Sequence, residues 1–382
     1  LASLPLFPVT SVGSWPRPDW LLQAAKRRSP DLREQQDRAV RLALEQQERA
    51  GVDVVVDGEQ RRDNFYSFLC EKLEGLQLMT MADLLDHVED KAGFEALLQT
   101  LDVPAFAIKN PTVVGKLSRR APLVLDDLKF VRRHTKRPVK VTLPGPYLLS
   151  RSMWVKGLSA AAYPTRAELI EDLVKILREE LVELAAAGCE MVQFDEPVLT
   201  EVVFAGKSAT RTFMCAALAA QASPESELDL AVDLINRVVD GIGDEGGPIT
   251  ALHVCRGNWS TKEEVLLAGP YDPLMPSFRR MRVKQFVLEH ATDRAGPLET
   301  LAQLPPGSQV GLGAVNPRTP DVEDPDEIAA RVRGVADRLG AARIFLNPDC
   351  GFGTFAERPV NVADVAERKL AALAAAAQRL RR

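Results

Sequence analysis

Thr250-Ala251-Leu252-His253-Val254-Cys255 is a short, largely apolar run that closes on two metal-ligating residue types and leads into a glycine-containing turn. Its length and β-branched content suit a buried strand better than a helix. Seven further runs have the same form: residues 8–14 (PVTSVGS), 52–59 (VDVVVDGE), 139–144 (VKVTLP), 191–196 (MVQFDE), 285–289 (QFVLE), 310–315 (VGLGAV) and 343–347 (RIFLN). Each is followed by a polar or Gly/Pro turn and then by a helical pattern, the order of parallel strands joined by crossover helices. Eight such units predict an α/β chain folded as a (β/α)8 TIM barrel.

The intervening stretches 34–50, 166–187, 225–242 and 326–339 carry apolar residues at helical spacing and are expected to form the outer ring. Residues 61–138 are too long for one crossover. They read as an insertion after the second strand, with a helical piece at 81–101 and an extended one at 105–117. The Ala-rich stretch 362–381 reads as a plain surface helix. A single catalytic domain over residues 1–382, elaborated by that insertion, accounts for all 382 residues.

Hydrophobic residues make up 46% of the chain and charged ones 26%, enough for both a core and a solvated surface. The formal net charge of -5 gives no reason to expect nucleic acid or an anionic membrane as partner. Residues 1–14 have no basic segment leading into an apolar one, and no run approaches the roughly 18 apolar residues of a membrane span. The expectation is a cytoplasmic protein acting on small molecules. Five widely spread cysteines suit thiols or metal ligands better than disulfides. Cys70, Cys189 and Cys215 lie in apolar helical contexts and are assigned to the core.

In barrels of this type chemistry takes place at the C-terminal ends of the strands. Those ends are polar here: Gly13-Ser14, Asp57-Gly58-Glu59, Asp195-Glu196, His253-Val254-Cys255, Glu289-His290, Asn316 and Asp349-Cys350-Gly351. His253 and Cys255 are two apart on one strand, so their side chains share a face and can share an ion. Cys350 sits in a tight Pro-Asp-Cys-Gly turn, and Glu289 closes the sixth strand. Imidazole, thiolates and a carboxylate make a candidate zinc set, although an H-x-C pair alone is weak.

The ordered set Ser11-Val12-Gly13-Ser14-Trp15-Pro16, Asp57-Gly58-Glu59 with Arg62-Asp63-Asn64, residues 111–122 followed by Arg137-Pro138-Val139-Lys140, Leu143-Pro144-Gly145-Pro146, Gln193-Phe194-Asp195-Glu196-Pro197, His253-Val254-Cys255 and Asn347-Pro348-Asp349-Cys350-Gly351 resembles the cobalamin-independent methionine synthases. It resembles their C-terminal catalytic barrel, over nearly the whole chain, and looks most like the short single-barrel "core" members. The resemblance implies zinc held by His253, Cys255, Glu289 and Cys350. It also implies homocysteine held through its ammonium by Glu59 and Asp195, with the Gly13-Ser14 main chain near its carboxylate. A buried ammonium needs carboxylate partners, and a carboxylate suits backbone N–H groups at a turn.

The implied reaction is methyl transfer to the homocysteine thiol, giving methionine. A free thiol has a pKa near 8.5 and attacks only as thiolate, which metal coordination supplies. Two-barrel members take the methyl group from a folate and have an Asp-x-His segment after the seventh strand; residues 313–318 read Gly-Ala-Val-Asn-Pro-Arg instead. A methyl-corrinoid, whose cobalt leaving group needs no acid, and methyl-folate both stand as donors. Trp154 is a candidate platform for a flat cofactor, and Asn316 and Arg318 are candidates to line the mouth.

Three rivals remain. Zinc-dependent alkyl transfer to or from another thiol such as coenzyme M would leave Glu59 and Asp195 unpaired. A metal-free decarboxylase on the same barrel would need basic mouth residues. A non-catalytic zinc or amino-acid binding protein would bind metal without admitting a thiol. His290 points away from the Glu289 side by strand alternation and reads as structural, and His87 and His134 read as solvated.

Overall fold

Six parallel strands form a continuous sheet in chain order: β3 (Lys140–Pro144), β4 (Met191–Asp195), β5 (Ile249–Val254), β6 (Gln285–Leu288), β7 (Gln309–Val315) and β8 (Ile344–Pro348). The structure is a computed structural model and describes residues 4–88, 91–100, 104–204, 223–243 and 246–382. Two short segments complete the circle through parallel bridges: Val9 pairs with Leu346, Thr10 with Val54, and Val55 with Val139. Their backbone hydrogen bonds, Thr10 N to Leu346 O (2.9 Å) and Lys140 N to Val55 O (2.9 Å) among them, close the eight-stranded barrel. The predicted first and second strands are thereby shortened. Residues 11–14 leave the ladder and curl over the barrel mouth, because side chains from neighbouring strands take the carbonyls of Ser11 and Val12.

Alternation along the strands separates two sets of side chains. Leu252, Val254, Phe286 and Leu288 belong to the main core, against the outer helices. Met191, Ile249, Ala251, Val287 and Phe345 form a separate cluster with Val12. These alternate with the first set and fill the barrel interior. Above that apolar layer the inward positions turn polar: Gln193 then Asp195 on β4, and His253 on β5, all buried. A barrel plugged by apolar side chains below and lined by polar ones above opens at its C-terminal face.

The outer helices form where predicted, at Leu32–Arg49, Arg166–Ala186, Pro224–Val239 and Pro325–Leu339. Thr165, Ser223 and Asp324 cap three of them by accepting main-chain N–H groups, and proline occupies the first turn of the last two. The β5–β6 and β6–β7 connections instead carry only short helical turns. The final helix, Ala363–Leu380, is not a plain surface helix. Nine of its residues, including Lys369 and five alanines, are buried, since alanine lets it lie close against the barrel.

Between the second segment and β3 the chain forms an antiparallel hairpin, β1 (Leu73–Thr80) with β2 (Lys109–Arg119). The extended piece was expected, but its partner β1 was not. The expected helical piece is two helices, Met81–Leu84 and Lys91–Thr100. No helix among the described residues is long and apolar enough to cross a membrane.

Candidate metal centre and active site

A cavity opens at the strand C-termini, lined among others by Gly13, Ser14, Glu59, Asp195, His253, Cys255 and Cys350. His253 on β5, Cys255 just beyond it and Cys350 beyond β8 place their ligand atoms within 4.8 Å of one another. The imidazole Nδ1 of His253 faces Asp195 Oδ1 at 2.9 Å. That leaves Nε2, which is buried without a hydrogen-bond partner, as the ring's available ligand atom. A carboxylate behind the ring fixes its tautomer and orientation, as behind metal-bound histidines generally.

The two thiols are coupled through a hydrogen bond to each other. The hydrogen bond with Cys350, offset by burial and reinforced by His253, pulls Cys255 down to about 5, while the same bond and burial push Cys350 well above the ordinary thiol range. Burial opposes a charge on His253, but the Cys255 thiolate and Asp195 outweigh it and raise the ring to about 10, so a cation binding at Nε2 would displace the proton there. An orphaned imidazole nitrogen, a thiolate and a second thiol gathered at one buried point are a donor set suited to a divalent cation of borderline softness.

Glu289 is not part of that group. Its carboxylate accepts from Arg256 Nη1 (3.1 Å), Asn258 Nδ2 (2.9 Å) and Arg294 Nη2 (3.0 Å), all buried. Both guanidiniums hold it below the usual carboxylate range against the cost of burial. Sequence spacing could not reveal this, because the arginines come from loops after β5 and β6.

Glu59 lies on the opposite side of the mouth in the left-handed region (φ 54°), next to Gly58 (φ 68°). A non-glycine residue in this conformation is strained by roughly 1 kcal/mol or more and must be held there. Asp57 Oδ1 accepts from its N–H (2.9 Å) and Arg17 Nη2 donates to its carbonyl (2.8 Å). Its side chain accepts from Thr142 Oγ1 (2.9 Å), with Arg62 at 3.7 Å. Burial is the main reason that its pKa is raised; Arg62 opposes this and Asp195 adds to it. Gly13 allows the approach: a Cβ there would lie 2.6 Å from Glu59 Oε1.

Trp154 is not at the cavity; its indole donates to Tyr163 O (3.0 Å) and the ring packs on the core. Asn316 also lies off the lining, its side chain accepting from Arg318 N (3.0 Å) and its N–H bound by Glu323. Arg318 is buried against Asn258 and Glu263. His290 is buried beside Tyr271, and burial with nearby Arg256 lowers it to about 3. Burial raises Cys70 and Cys189 to about 12, although Cys70 is half-buried and not in the core. Cys215 lies outside the described residues. Phe65, Asn258, Trp259 and Thr354 line the cavity without having been singled out.

The family model described as the catalytic domain of cobalamin-independent synthase matches residues 7–233 and 248–376. The chain belongs to the cobalamin-independent synthase family. A "Methionine synthase" of Thermococcus kodakarensis is 30% identical over 355 residues, covering 91% of this chain and 87% of the relative. Among solved structures, a B12-independent methionine synthase from Shewanella sp. W3-18-1 in complex with selenomethionine superimposes with a TM-score of 0.73 at 26% identity, covering 98% of both chains. A putative vitamin-B12-independent methionine synthase from Listeria monocytogenes shares the fold, with a TM-score of 0.65 at 20% identity, covering 97% of this chain and 98% of its own. Cobalamin-independent synthase membership thus extends across the barrel, and the cavity stands at its C-terminal face.

Proposed function

We propose that this protein transfers a methyl group to the thiol of homocysteine, forming methionine, with zinc held by His253, Cys255 and Cys350. The observation that carries the reading is that one cavity brings together the His/Cys/Cys group, the carboxylates Glu59 and Asp195, and the Gly13-Ser14 turn. The methionine synthases among its relatives, and the selenomethionine complex of the Shewanella protein, support an amino acid of this shape. Zinc held by these three residues would keep a fourth position for a substrate sulfur, as catalytic zinc sites do. When bound, zinc supplies the positive charge that holds the substrate thiol as thiolate near neutral pH.

The chain's own residues do the rest. Glu59 and Asp195 pair with the substrate ammonium, and the Gly13-Ser14 main chain receives its carboxylate. Asp195 serves the metal site as well, by orienting His253. Arg256 and Arg294 neutralise Glu289, so its charge adds little to that of two cysteinates. Fixing the amino-acid end places the sulfur for in-line attack on a methyl group, and such orientation is itself a large part of the rate gain.

Residues 316–318 supply no histidine to protonate a leaving group, and Asn316 and Arg318 are engaged with each other and with Asn258 and Glu263. This favours a methyl-corrinoid donor, whose cobalt leaves without a proton, over methyl-folate. The test is a methyl-transfer assay on zinc-loaded protein with homocysteine, offering methylcobalamin and methyl-folate in parallel. Methionine formed from methylcobalamin supports the whole reading. Formation from folate alone overturns the donor, and failure with both overturns the activity. Faster turnover of thiols lacking the amino group would favour alkyl transfer to another thiol instead.

A further inference from the structure

Lys140 and Gln193 lie inside the barrel beneath the cavity, both without solvent exposure. Both are buried polar residues that neither touch the cavity nor take part in the chemistry above. Lys140 Nζ donates to the carbonyl of Ser11 and to Gln193 Oε1 (3.0 Å). The Gln193 amide in turn donates through Nε2 to Asp195 Oδ1 (2.8 Å) and to Val12 O (3.1 Å). Asp195 Oδ1 is the atom that meets His253 Nδ1.

An amide side chain can present either end to a neighbour, and the two ends have opposite hydrogen-bonding character. A lysine ammonium has only donors, so Lys140 in its charged form can face the oxygen end alone. The NH₂ end must then face Asp195 and Val12. A flipped amide would set its oxygen against the Asp195 carboxylate and the Val12 carbonyl, leaving two buried acceptors without a donor and Asp195 Oδ1 with His253 alone. Lys140 in its charged form therefore selects the arrangement of a chain that ends at the metal group on one side and, on the other, at the carbonyls of Ser11 and Val12 just ahead of the Gly13-Ser14 turn. Val12 and the metal group line the same cavity.

We infer that Lys140 and Gln193 are positioning residues for the metal centre: Lys140 fixes the Gln193 amide, which holds Asp195 so that the Nε2 of His253 faces the cysteines. The inference rests on the zinc reading given above. Lys140→Met removes the donor that selects the amide orientation. Gln193→Glu keeps an oxygen for Lys140 but replaces the NH₂ facing Asp195 by a second carboxylate oxygen, breaking the relay one link nearer the metal while leaving the lysine paired. Outer residues behind metal ligands typically change metal affinity by about 10- to 100-fold.

The experiment is titration of the full chain with Co²⁺ against a competing chelator, followed by thiolate-to-cobalt absorption, with circular dichroism as the check on folding. The expected result is a 10- to 100-fold loss of Co²⁺ affinity and an altered absorption envelope in both variants, with wild-type secondary structure. Variants that fold and bind Co²⁺ within twofold of wild type, with the same absorption, overturn the inference while leaving the metal reading intact. Should Lys140→Met fail to fold, Gln193→Glu decides by the same criterion. A wild-type chain that binds no Co²⁺ overturns the metal reading itself, and this inference with it.

Discussion

Replacing Gly13 by alanine should damage binding of the amino-acid substrate far more than the fold. The added Cβ would lie 2.6 Å from Glu59 Oε1 and 3.2 Å from Thr142 Cγ2. Restoring an ordinary carbon–oxygen contact requires the carboxylate to retreat by about 0.8 Å. Glu59 has little freedom to do so: it is buried, its backbone is held in a left-handed conformation, and its side chain is tied to Thr142 at 2.9 Å. A retreat of that size stretches the Thr142 bond beyond hydrogen-bonding distance and moves the carboxylate from where an ammonium would meet it. A hydrogen bond to a charged group contributes about 1.5–3 kcal/mol, which corresponds to a rise of about ten- to a hundredfold in KM for homocysteine. The backbone at Gly13 is not in the left-handed region, so alanine adds only a crowding cost of about 1–3 kcal/mol to stability. The assay is steady-state methyl transfer with homocysteine varied, alongside urea unfolding. A Gly13→Ala protein that folds with KM within twofold of wild type would refute the placement of Glu59 on the substrate ammonium.

Glu289→Gln should leave zinc content within twofold of wild type but lower the urea midpoint substantially, since breaking a buried ion pair costs about 3–5 kcal/mol; lost zinc with unchanged stability would instead make Glu289 a ligand. Burial lowers Lys140 to about 7 despite Asp195 and Glu59. Between that value and its ordinary range near 10.5 the unfolded chain binds the proton more readily than the folded one, so stability rises with pH there by up to about 1.4 kcal/mol per unit. Urea midpoints at pH 7.5 and 9.0 should therefore show wild type gaining on Lys140→Met, and parallel midpoints would contradict a depressed lysine. Cys189, held near 12 by burial, should resist a thiol reagent at pH 8 in the native chain and react on unfolding; rapid native labelling mapped to it by mass spectrometry would contradict its burial.

The inner strands were legible because short β-branched runs between turn residues have few other uses in an α/β chain. β3 to β8 fall within a residue or so of the runs read from sequence. The first two runs contain strands only in part; in the first, tertiary contacts from Lys140 and Gln193 compete for the carbonyls at 11 and 12. β1 was missed because its run, Leu73-Glu74-Gly75-Leu76-Gln77-Leu78-Met79-Thr80, is interrupted by a glycine at a register shift, and its partner lies some thirty residues away. At the site, the two-residue period placed His253 with Cys255, and the Pro-Asp-Cys-Gly turn brought Cys350 to them. The same period marked Lys140 with Thr142, and Gln193 with Asp195, as inward-facing polar pairs in apolar strands. That signal was present but unread. Trp154 lies in the loop between two short helices, Pro146–Ser152 and Lys156–Ser159, and a loop aromatic carries no directional information in its spacing. Glu289 was left to its arginines for a similar reason: ion pairs between loops leave no trace in local spacing.

The most direct test of the account is X-ray absorption at the zinc edge of the loaded protein before and after homocysteine is added. Two sulfur ligands and one imidazole in the resting protein, rising to three sulfurs with homocysteine, are the predicted result. A sulfur count that stays at two while homocysteine is bound would contradict the central claim that the metal at His253, Cys255 and Cys350 takes the substrate thiol.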